Sequence, residues 1–310
     1  MTSPSTETLF QIPDIASAGR AEKDTMLNYL IGGIATGNKP AIHTAQAIGR
    51  SMLKTKTSTY AVLGDRYYDG MLSPEFTIDE LLCDTRRLQG YLKAIERWDN
   101  PELIMDVGTG AFAILALAAA VYHPNTPVQA LELEPQSAQV AEDVVKLFGK
   151  SDQVEVLEGD VGTHQFNSGL THAVTETFSN ALASEPGPQI IRLLAVNGIP
   201  YITPSMAELR IRLGKTNYNQ MVNLRTDETA TINISAESYV PRDKRQRDFG
   251  ITTSFLDEQG TFLVHNASSI TRPLNIRDLG VQLLVAAENG HDAVLSYQLG
   301  DKFNPQWMIL

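Results

Sequence analysis

The spacing of apolar positions predicts helices over the first third of the chain. Residues 16–54 follow a helical period that is interrupted at "TGNKP" (36–40), where Gly-Asn ends one helix and proline starts the next. Residues 77–98 predict a further amphipathic helix, with Thr77 as its N-cap and Glu80 at the capping-box position. The chain is therefore expected to begin with helices and no strands.

From residue 102 onwards, short apolar runs alternate with helical segments. The predicted strands occupy 102–108, 127–134, 153–160 and 171–176, with helices ending near 122, beginning at Pro135 and covering 187–198. Strands that alternate with helices in this way indicate βαβ units and a parallel sheet.

After Pro204 the pattern becomes β-rich, with turn signals at "DEQG" and "ENG" and no expected helix. The expected fold class is α/β, with N-terminal helices, a Rossmann-like domain and a C-terminal all-β, barrel-like domain. The expected boundaries are residues 1–60, 61–205 and 206–310.

Charge and cysteine content narrow the function classes. Lys plus Arg number 25 and Asp plus Glu number 36, so the formal net charge is −11. Such a chain is poorly suited to binding nucleic acid and better suited to a cationic substrate. Cys83 is the only cysteine, which excludes an intrachain disulfide and a cysteine-based metal cluster, and no metal is expected.

The polar N-terminus and the length of the longest apolar run argue against secretion and membrane insertion. The first ten residues are polar and lack the pattern of a signal peptide. The longest apolar run, 111–122, is too short to span a bilayer. A cytoplasmic protein without a membrane partner is expected.

The junction "MDVGTGAFA" (105–113) is the first candidate for ligand chemistry. Gly108 and Gly110 allow a tight turn that brings the backbone close to a ligand at a helix N-terminus. Glu132 closes the second strand, where an acid can accept both hydroxyls of a ribose, and Asp160 closes the third, where a carboxylate can meet an adenine amino group. A phosphate-binding P-loop is excluded because no G-K-[ST] follows the glycines, but a dinucleotide site stays open.

The order of these motifs resembles the class I S-adenosylmethionine-dependent methyltransferases. The resemblance rests on D-x-G-x-G, an acid after strand two and Gly-Asp after strand three. It implies S-adenosyl-L-methionine as cofactor, with binding residues Asp106, Gly108, Gly110, Glu132 and Asp160. Phe112 stands where the family usually has a third glycine, and Glu134 is the alternative ribose acid.

Three further stretches resemble the protein arginine methyltransferases. The loop "TETFSNALASE" carries Glu176 and Glu185 nine positions apart, as in the family's S-E-W-M-G-Y-x-L-x-x-E, although the Trp-Met-Gly core is replaced. The segment from Leu82 to Tyr91 resembles the family's L-x-D-x-x-R-x-x-x-Y helix, and "YITPSMAELRI" resembles its crossing into the barrel. The resemblance covers roughly residues 67 to 214.

This resemblance implies a role for each matching residue. Glu176 and Glu185 are the catalytic, guanidinium-binding pair, and Arg87, or its neighbour Arg86, pairs with the carboxylate of the cofactor. The chemistry suits the residue types, because a guanidinium offers forked donors that two carboxylates can accept. The further residues expected around the substrate are Phe178, Tyr68 and His291, the last as the nearest counterpart of a barrel histidine.

The number of residues after Pro204 influences which substrate is expected. About a hundred residues are few for the family's usual barrel with its dimerisation arm, so a small guanidino compound, free L-arginine above all, is favoured over an arginine-containing peptide. Such an enzyme would belong to a specialised-metabolite pathway. The N-terminal helices are expected to replace the arm in a homodimer. Two alternatives stay open: a methyltransferase for another small nucleophile, and a non-catalytic S-adenosylmethionine-binding protein.

Overall fold

The fold is seen in a computed structural model, which divides the chain into two compact units. One comprises Met1–Glu176 with Ile199–Tyr201, and the other comprises Thr177–Gly198 with Ile202–Leu310. The boundaries expected from sequence at 60 and 205 stay a prediction. The structure describes residues 12–54, 74–79, 81–177, 186–213, 215–240, 249–257, 262–266, 283, 285–299 and 306–310.

The first unit is rich in helices. They are α1 (Ile12–Ser17), α2 (Arg20–Thr36), α3 (Lys39–Lys54), α4 (Pro74–Asp79), α5 (Thr85–Glu96), α6 (Ile114–Tyr122) and α7 (Pro135–Leu147). Of these, α2 and α3 match the two helices that the sequence predicts over 16–54. Gly37, with φ of 73°, ends α2 in the left-handed conformation that glycine adopts without strain. A Cβ on Gly33 would lie 2.3 Å from the Cβ of Ala41, so α2 and α3 pack closely as a hairpin.

The single helix expected over 77–98 is wrong in its first half. A 3₁₀ turn, Leu81–Cys83, separates α4 from α5, and Thr77 lies inside α4 instead of capping it. The N-cap of α5 is Asp84, whose carboxylate accepts from the backbone N–H of Arg87. This bond satisfies one of the donors that a helix start leaves unpaired, which makes a new helix favourable at that point.

A parallel sheet confirms the predicted α/β core. Its strands are β1 (Ile104–Val107), β2 (Val128–Glu132), β3 (Val154–Glu158), β4 (His172–Thr175) and β5 (Tyr201–Thr203), in the order β3-β2-β1-β4-β5. The order reverses between β1 and β4, and open parallel sheets bind ligands at the carboxyl end of such a switch point.

The strand register brings three sequence-distant positions to the same edge of the sheet. Val107 pairs with Leu131 on one side and with Thr175 on the other. The residues that follow these three, Gly108, Glu132 and Glu176, therefore emerge side by side where the strands end.

The second unit is mostly antiparallel. It contains α8 (Gly187–Val196), β6 (Met206–Leu213), β7 (Thr216–Asn223), β8 (Thr229–Ile234), β9 (Phe249–Leu256), β10 (Phe262–Asn266), β11 (Ala293–Gln298) and β12 (Gln306–Ile309). Among the described residues the sheets run β10-β9-β6-β7 and β12-β11-β8. Buried and more exposed positions alternate along β6 and β8, as expected for strands with one face towards a core.

One segment of this unit corrects the sequence prediction. Residues 285–288 are helical, although "VQLLVAAENG" was expected to continue the β-rich pattern. A short apolar run does not distinguish a buried strand from a helix turn, and Gly290, with φ of 77°, follows the helical residues.

Across the described part of the chain, no helix combines the length and apolar character that crossing a membrane requires.

Candidate active site

The loop after β1 has the backbone geometry of a ligand cradle. Gly108 and Gly110 have φ of 74° and 66°, and the backbone N–H of Gly108 donates to the carbonyl of Leu131 at 2.8 Å. Phe112, at the family's third glycine position, is only 3% exposed, so its ring packs into the core. Ala113 then adopts φ of 50°, a left-handed conformation that costs about 1–2 kcal/mol for a residue with a Cβ.

Asp106 at the end of β1 organises this loop. Its Oδ2 accepts from the hydroxyl of Thr109 at 2.6 Å and from the backbone N–H of Ala116 at 3.0 Å. Because Ala113 offers no capping side chain, Asp106 takes the place of the N-cap acceptor for α6. The second oxygen, Oδ1, is buried and has no hydrogen-bond partner among the described residues.

Glu132 closes the other side of the cradle. It is 5% exposed, and its two oxygens accept from the backbone N–H groups of Gly110 at 2.8 Å and Glu134 at 3.0 Å. A carboxylate retains further lone pairs for two hydroxyl donors. The side chain of Glu134 instead accepts from the N–H of Ser137 as the N-cap of α7, which favours Glu132 as the ribose acid.

The third element is an ion pair between α5 and the residue after β4. Arg87 Nη1 donates to Glu176 Oε1 at 2.7 Å, and Arg87 Nε lies 3.4 Å from Asp84 Oδ2. The side chain of Glu176 is only 11% exposed. Its second oxygen takes no hydrogen bond from the described part of the chain, so a cationic ligand can still reach this carboxylate.

Burial makes the carboxylates of this site reluctant to ionise. It raises the pKa of Asp106 to about 7, although the bonds from Thr109 and Ala116 oppose the shift. Burial likewise raises the pKa of Glu176 to about 7 despite the nearby charge of Arg87. The pKa of Glu132 is raised for the same reason, with its backbone hydrogen bonds acting against the rise. Bringing positive charge into the site would lower all three pKa values.

The described residues fit S-adenosylmethionine. This cofactor carries positive charge on its sulfonium and ammonium groups, and Asp106 offers a buried oxygen without a partner. Its ribose hydroxyls need an acceptor such as Glu132, and its carboxylate needs a cation such as Arg87. Charge and hydrogen-bonding capacity therefore match the ligand that the sequence motifs predict.

The remaining predicted residues have different outcomes. Asp160 is exposed in the loop after β3, where its Oδ1 accepts from the N–H of Gly162 at 2.8 Å. His291 is exposed in the second unit, and its own role stays a prediction. Tyr68, Phe178 and Glu185 lie outside the described residues, so their expected roles stay predictions as well.

Two residues that hold this site together lie inside the sequence motifs, but the sequence analysis gave them no role. Asp84 both caps α5 and pairs with Arg87, and its position three residues before the arginine was the available signal. Thr109 bonds Asp106, and the threonine between the two glycines was the available signal there.

Comparisons with curated proteins give partial matches. No protein-family model matches the chain. The chain is 33% identical over 119 residues to an uncharacterised protein of Methanocaldococcus jannaschii, covering 38% of this chain and 44% of that protein. It is 34% identical over 95 residues to the tRNA1(Val) (adenine(37)-N6)-methyltransferase of Actinobacillus pleuropneumoniae, covering 30% of this chain and 40% of that enzyme. The matches thus span less than half the length of these relatives.

Solved structures match over a larger part of the chain. Protein arginine methyltransferase 10 of Arabidopsis thaliana superposes with a TM-score of 0.52 at 14% identity, over 75% of this chain and 88% of that chain. PRMT6 superposes with a TM-score of 0.50 at 15% identity, over 74% and 97% of the two chains. At such identities the likeness concerns the fold. The chain therefore has the fold of the class I S-adenosylmethionine-dependent methyltransferases and resembles, within that fold, the protein arginine methyltransferases.

Proposed function

We propose that this protein is an S-adenosylmethionine-dependent N-methyltransferase that acts on a guanidino group. Free L-arginine, or another small guanidino metabolite, is the preferred substrate over arginine in a protein, within a specialised-metabolite pathway. The observation that carries this proposal is the largely buried Glu176, which pairs with Arg87 at the switch point of the sheet, next to the residues expected to bind the cofactor.

The electrostatics of the site support a cationic substrate. Asp106 and Glu132 are buried at one edge of the sheet, Glu176 is largely buried beside them, and the charges of Glu132 and Glu176 both raise the pKa of Asp106. Their mutual repulsion is relieved by positive ligands. A guanidinium is suited to such a place, because it stays charged at neutral pH and its planar donors match carboxylate oxygens.

Each residue has a distinct task in this proposal. Glu176 and Glu185 hold the guanidinium and direct one terminal nitrogen towards the methyl group. Asp106, Gly108, Gly110, Glu132 and Asp160 hold the cofactor, and Arg87 pairs with its carboxylate. When bound, the cofactor supplies a methyl group on a positively charged sulfur. Positioning, together with the polarising effect of the two carboxylates on the attacking nitrogen, would provide most of the rate enhancement.

The relative that modifies adenine in tRNA suggests a second candidate, which the charges disfavour. An adenine amino group is neutral, so a carboxylate with little exposure would attract it less strongly than it attracts a charged guanidinium. An RNA strand would also meet a chain with a formal net charge of −11, whereas proteins that bind nucleic acid use lysine and arginine on its phosphates. A guanidino substrate explains both features.

Binding to the product-bound enzyme tests the charge requirement without depending on turnover. Calorimetry would compare L-arginine with L-citrulline, which has the same length but a neutral urea group, in the presence of S-adenosylhomocysteine. We expect arginine to bind at least about 100-fold more tightly, since loss of a charged hydrogen-bonded partner costs about 3 kcal/mol or more. Equal affinities would contradict the guanidinium clamp.

A further inference from the structure

Helix α3 contacts the end of α4 and Cys83, which precede Arg87 in the chain. Residues 46, 49 and 50 lie on one face of this helix, at the spacing i, i+3 and i+4 that places side chains together. All three lie against the end of α4, at Ile78 and Asp79, and Gln46 also reaches Cys83, two residues before α5.

Gln46 makes the hydrogen bonds between α3 and these residues. Its side chain is buried, and its Nε2 donates to the carbonyl of Asp79 at 3.0 Å and to Cys83 Sγ at 3.1 Å, with the carbonyl of Ile78 at 3.4 Å. Ile78 and Asp79 end α4, so their carbonyls belong to the last turn, whose acceptors have no partner within the helix. Gln46 therefore caps α4 from another helix.

Gly49 and Arg50 bring α3 close to the end of α4. A Cβ on Gly49 would lie 2.9 Å from Ile78 Cγ1, so only glycine lets the two elements approach this far. On the outer side, Arg50 Nε donates to Asp79 Oδ1 at 2.6 Å. These contacts together hold Ile78, Asp79 and Cys83 against α3.

This part of the chain continues directly into the ion-pair network. Asp84 follows Cys83, caps α5 and lies 3.4 Å from the guanidinium of Arg87, which donates to Glu176. A movement of Cys83 and the end of α4 away from α3 would displace Asp84 and so change the orientation of the Arg87 side chain. We propose that Gln46 is a positioning residue for Arg87 and Glu176, which makes the N-terminal hairpin part of the active-site scaffold. This inference rests on the proposed role of Arg87 in cofactor binding.

A comparison of two glutamine variants tests this role. Gln46→Met keeps the length of the side chain and removes the amide. Gln153→Met is the matched control, because Gln153 Nε2 also bridges two carbonyls, those of His123 and Thr126, but does not contact the ion-pair network. We expect Gln46→Met to weaken S-adenosylmethionine binding about tenfold by calorimetry, and Gln153→Met to leave it within about twofold.

A double-mutant cycle separates positioning from general destabilisation. If Gln46 acts through Arg87, the Gln46→Met effect should largely disappear in an Arg87→Met background, whereas a merely structural effect would add. Equal binding by Gln46→Met and wild type, or additive effects, would overturn the proposal. Should Gln46→Met fail to fold, Arg50→Met loosens the same segment from its exposed side, and unchanged cofactor binding in that variant would also overturn it.

The cycle uses no guanidino substrate, so its outcome is distinct from that of the proposed function. An Arg87→Met variant with wild-type cofactor affinity would refute both the role of Arg87 and the positioning role. Loss of arginine binding alone would refute neither.

Discussion

At the scale of single residues, Glu176 has to serve two cations. One of its oxygens already accepts from Arg87, and burial keeps its pKa near 7. In the proposed reaction the other oxygen would hold the guanidinium of the substrate. The chemistry therefore depends on the charge of this side chain more than on its shape.

The variant Glu176→Gln removes that charge and keeps the shape. We expect kcat to fall about 10²–10³-fold, the usual effect of removing one aligned electrostatic partner, while S-adenosylmethionine affinity stays within about tenfold. Steady-state kinetics and calorimetry measure the two effects. The control Glu158→Gln changes an exposed acid at the end of β3 and should preserve both. Near-normal turnover by Glu176→Gln would refute the clamp.

The pH dependence of activity reports the ionisation of the same residue. Only the charged form of Glu176 binds a guanidinium, so kcat/KM should rise with pH until this group is ionised, at or below about pH 7. The charge of Arg87 lowers the pKa of Glu176, so Arg87→Met should move the acid limb of the profile to higher pH. An acid limb that stays in place would show that Arg87 does not act on the ionisation of Glu176.

At the scale of elements, the start of α6 combines strain with binding. Ala113 has φ of 50°, and the capping acceptor comes from Asp106 on β1. Strained backbone that the surrounding structure maintains is frequent at functional sites. Here the strained residue directly follows Phe112, whose side chain is buried in the core.

Two alanine-to-glycine substitutions at the start of α6 should change the free energy of unfolding in opposite directions. Ala113→Gly relieves the left-handed strain and should stabilise the protein by up to about 1 kcal/mol. Ala116→Gly, at a regular position of the first helical turn, should destabilise it by about 0.5–1 kcal/mol. Urea unfolding measures both, and destabilisation by Ala113→Gly would contradict the strained geometry.

The sequence predicted the positions of helices and strands better than the boundaries between neighbouring helices. Apolar periodicity runs through residues 77–98 without interruption, and Thr77 and Asp84 are both acceptable N-caps, so the sequence pattern alone does not distinguish one helix from two. Similarly, the apolar run before Gly290 fits a strand or a helix.

Site residues at strand ends were predictable, because parallel strands align their carboxyl ends. The residues that pair with them could be predicted less well. Arg87 and Glu176 are 89 positions apart, and no local pattern encodes a contact over that separation. The contribution of Gln46 could not be predicted either, since two of its acceptors are backbone carbonyls, which every sequence possesses, and the third is Cys83, 37 positions away.

At the scale of the whole molecule, the N-terminal hairpin uses its apolar side within its own chain. Leu27, Leu30, Ile31 and Ile34 of α2 are at most 1% exposed. The proposed homodimer, if formed by these helices, must therefore use their polar faces. On the exposed side of α2, Arg20 and Asp24 already form ion pairs within the chain, so a dimer through this helix would have to form around those pairs.

The buried carboxylates also link folding stability to pH. In the folded protein the pKa of Asp106 is about 7, against an ordinary value of 3.8, so its contribution to stability is complete below about pH 4 and is lost as the pH rises through 7. The neutral, isosteric Asp106→Asn should therefore gain more thermal stability over wild type at about pH 8 than at about pH 5.5, while binding S-adenosylmethionine more weakly. A pH-independent difference in melting temperature would contradict the raised pKa.

The measurement that tests the central claim most directly is transfer of a labelled methyl group. The enzyme would be incubated with S-adenosylmethionine carrying a deuterated methyl group and, in parallel, with L-arginine, an arginine-rich peptide and L-lysine. Mass spectrometry with fragmentation would then locate the label. The account predicts label on the guanidino group of free L-arginine, little on the peptide and none on lysine. Label on the peptide alone would contradict the small-molecule substrate, and no label on either arginine compound would contradict guanidino methylation itself.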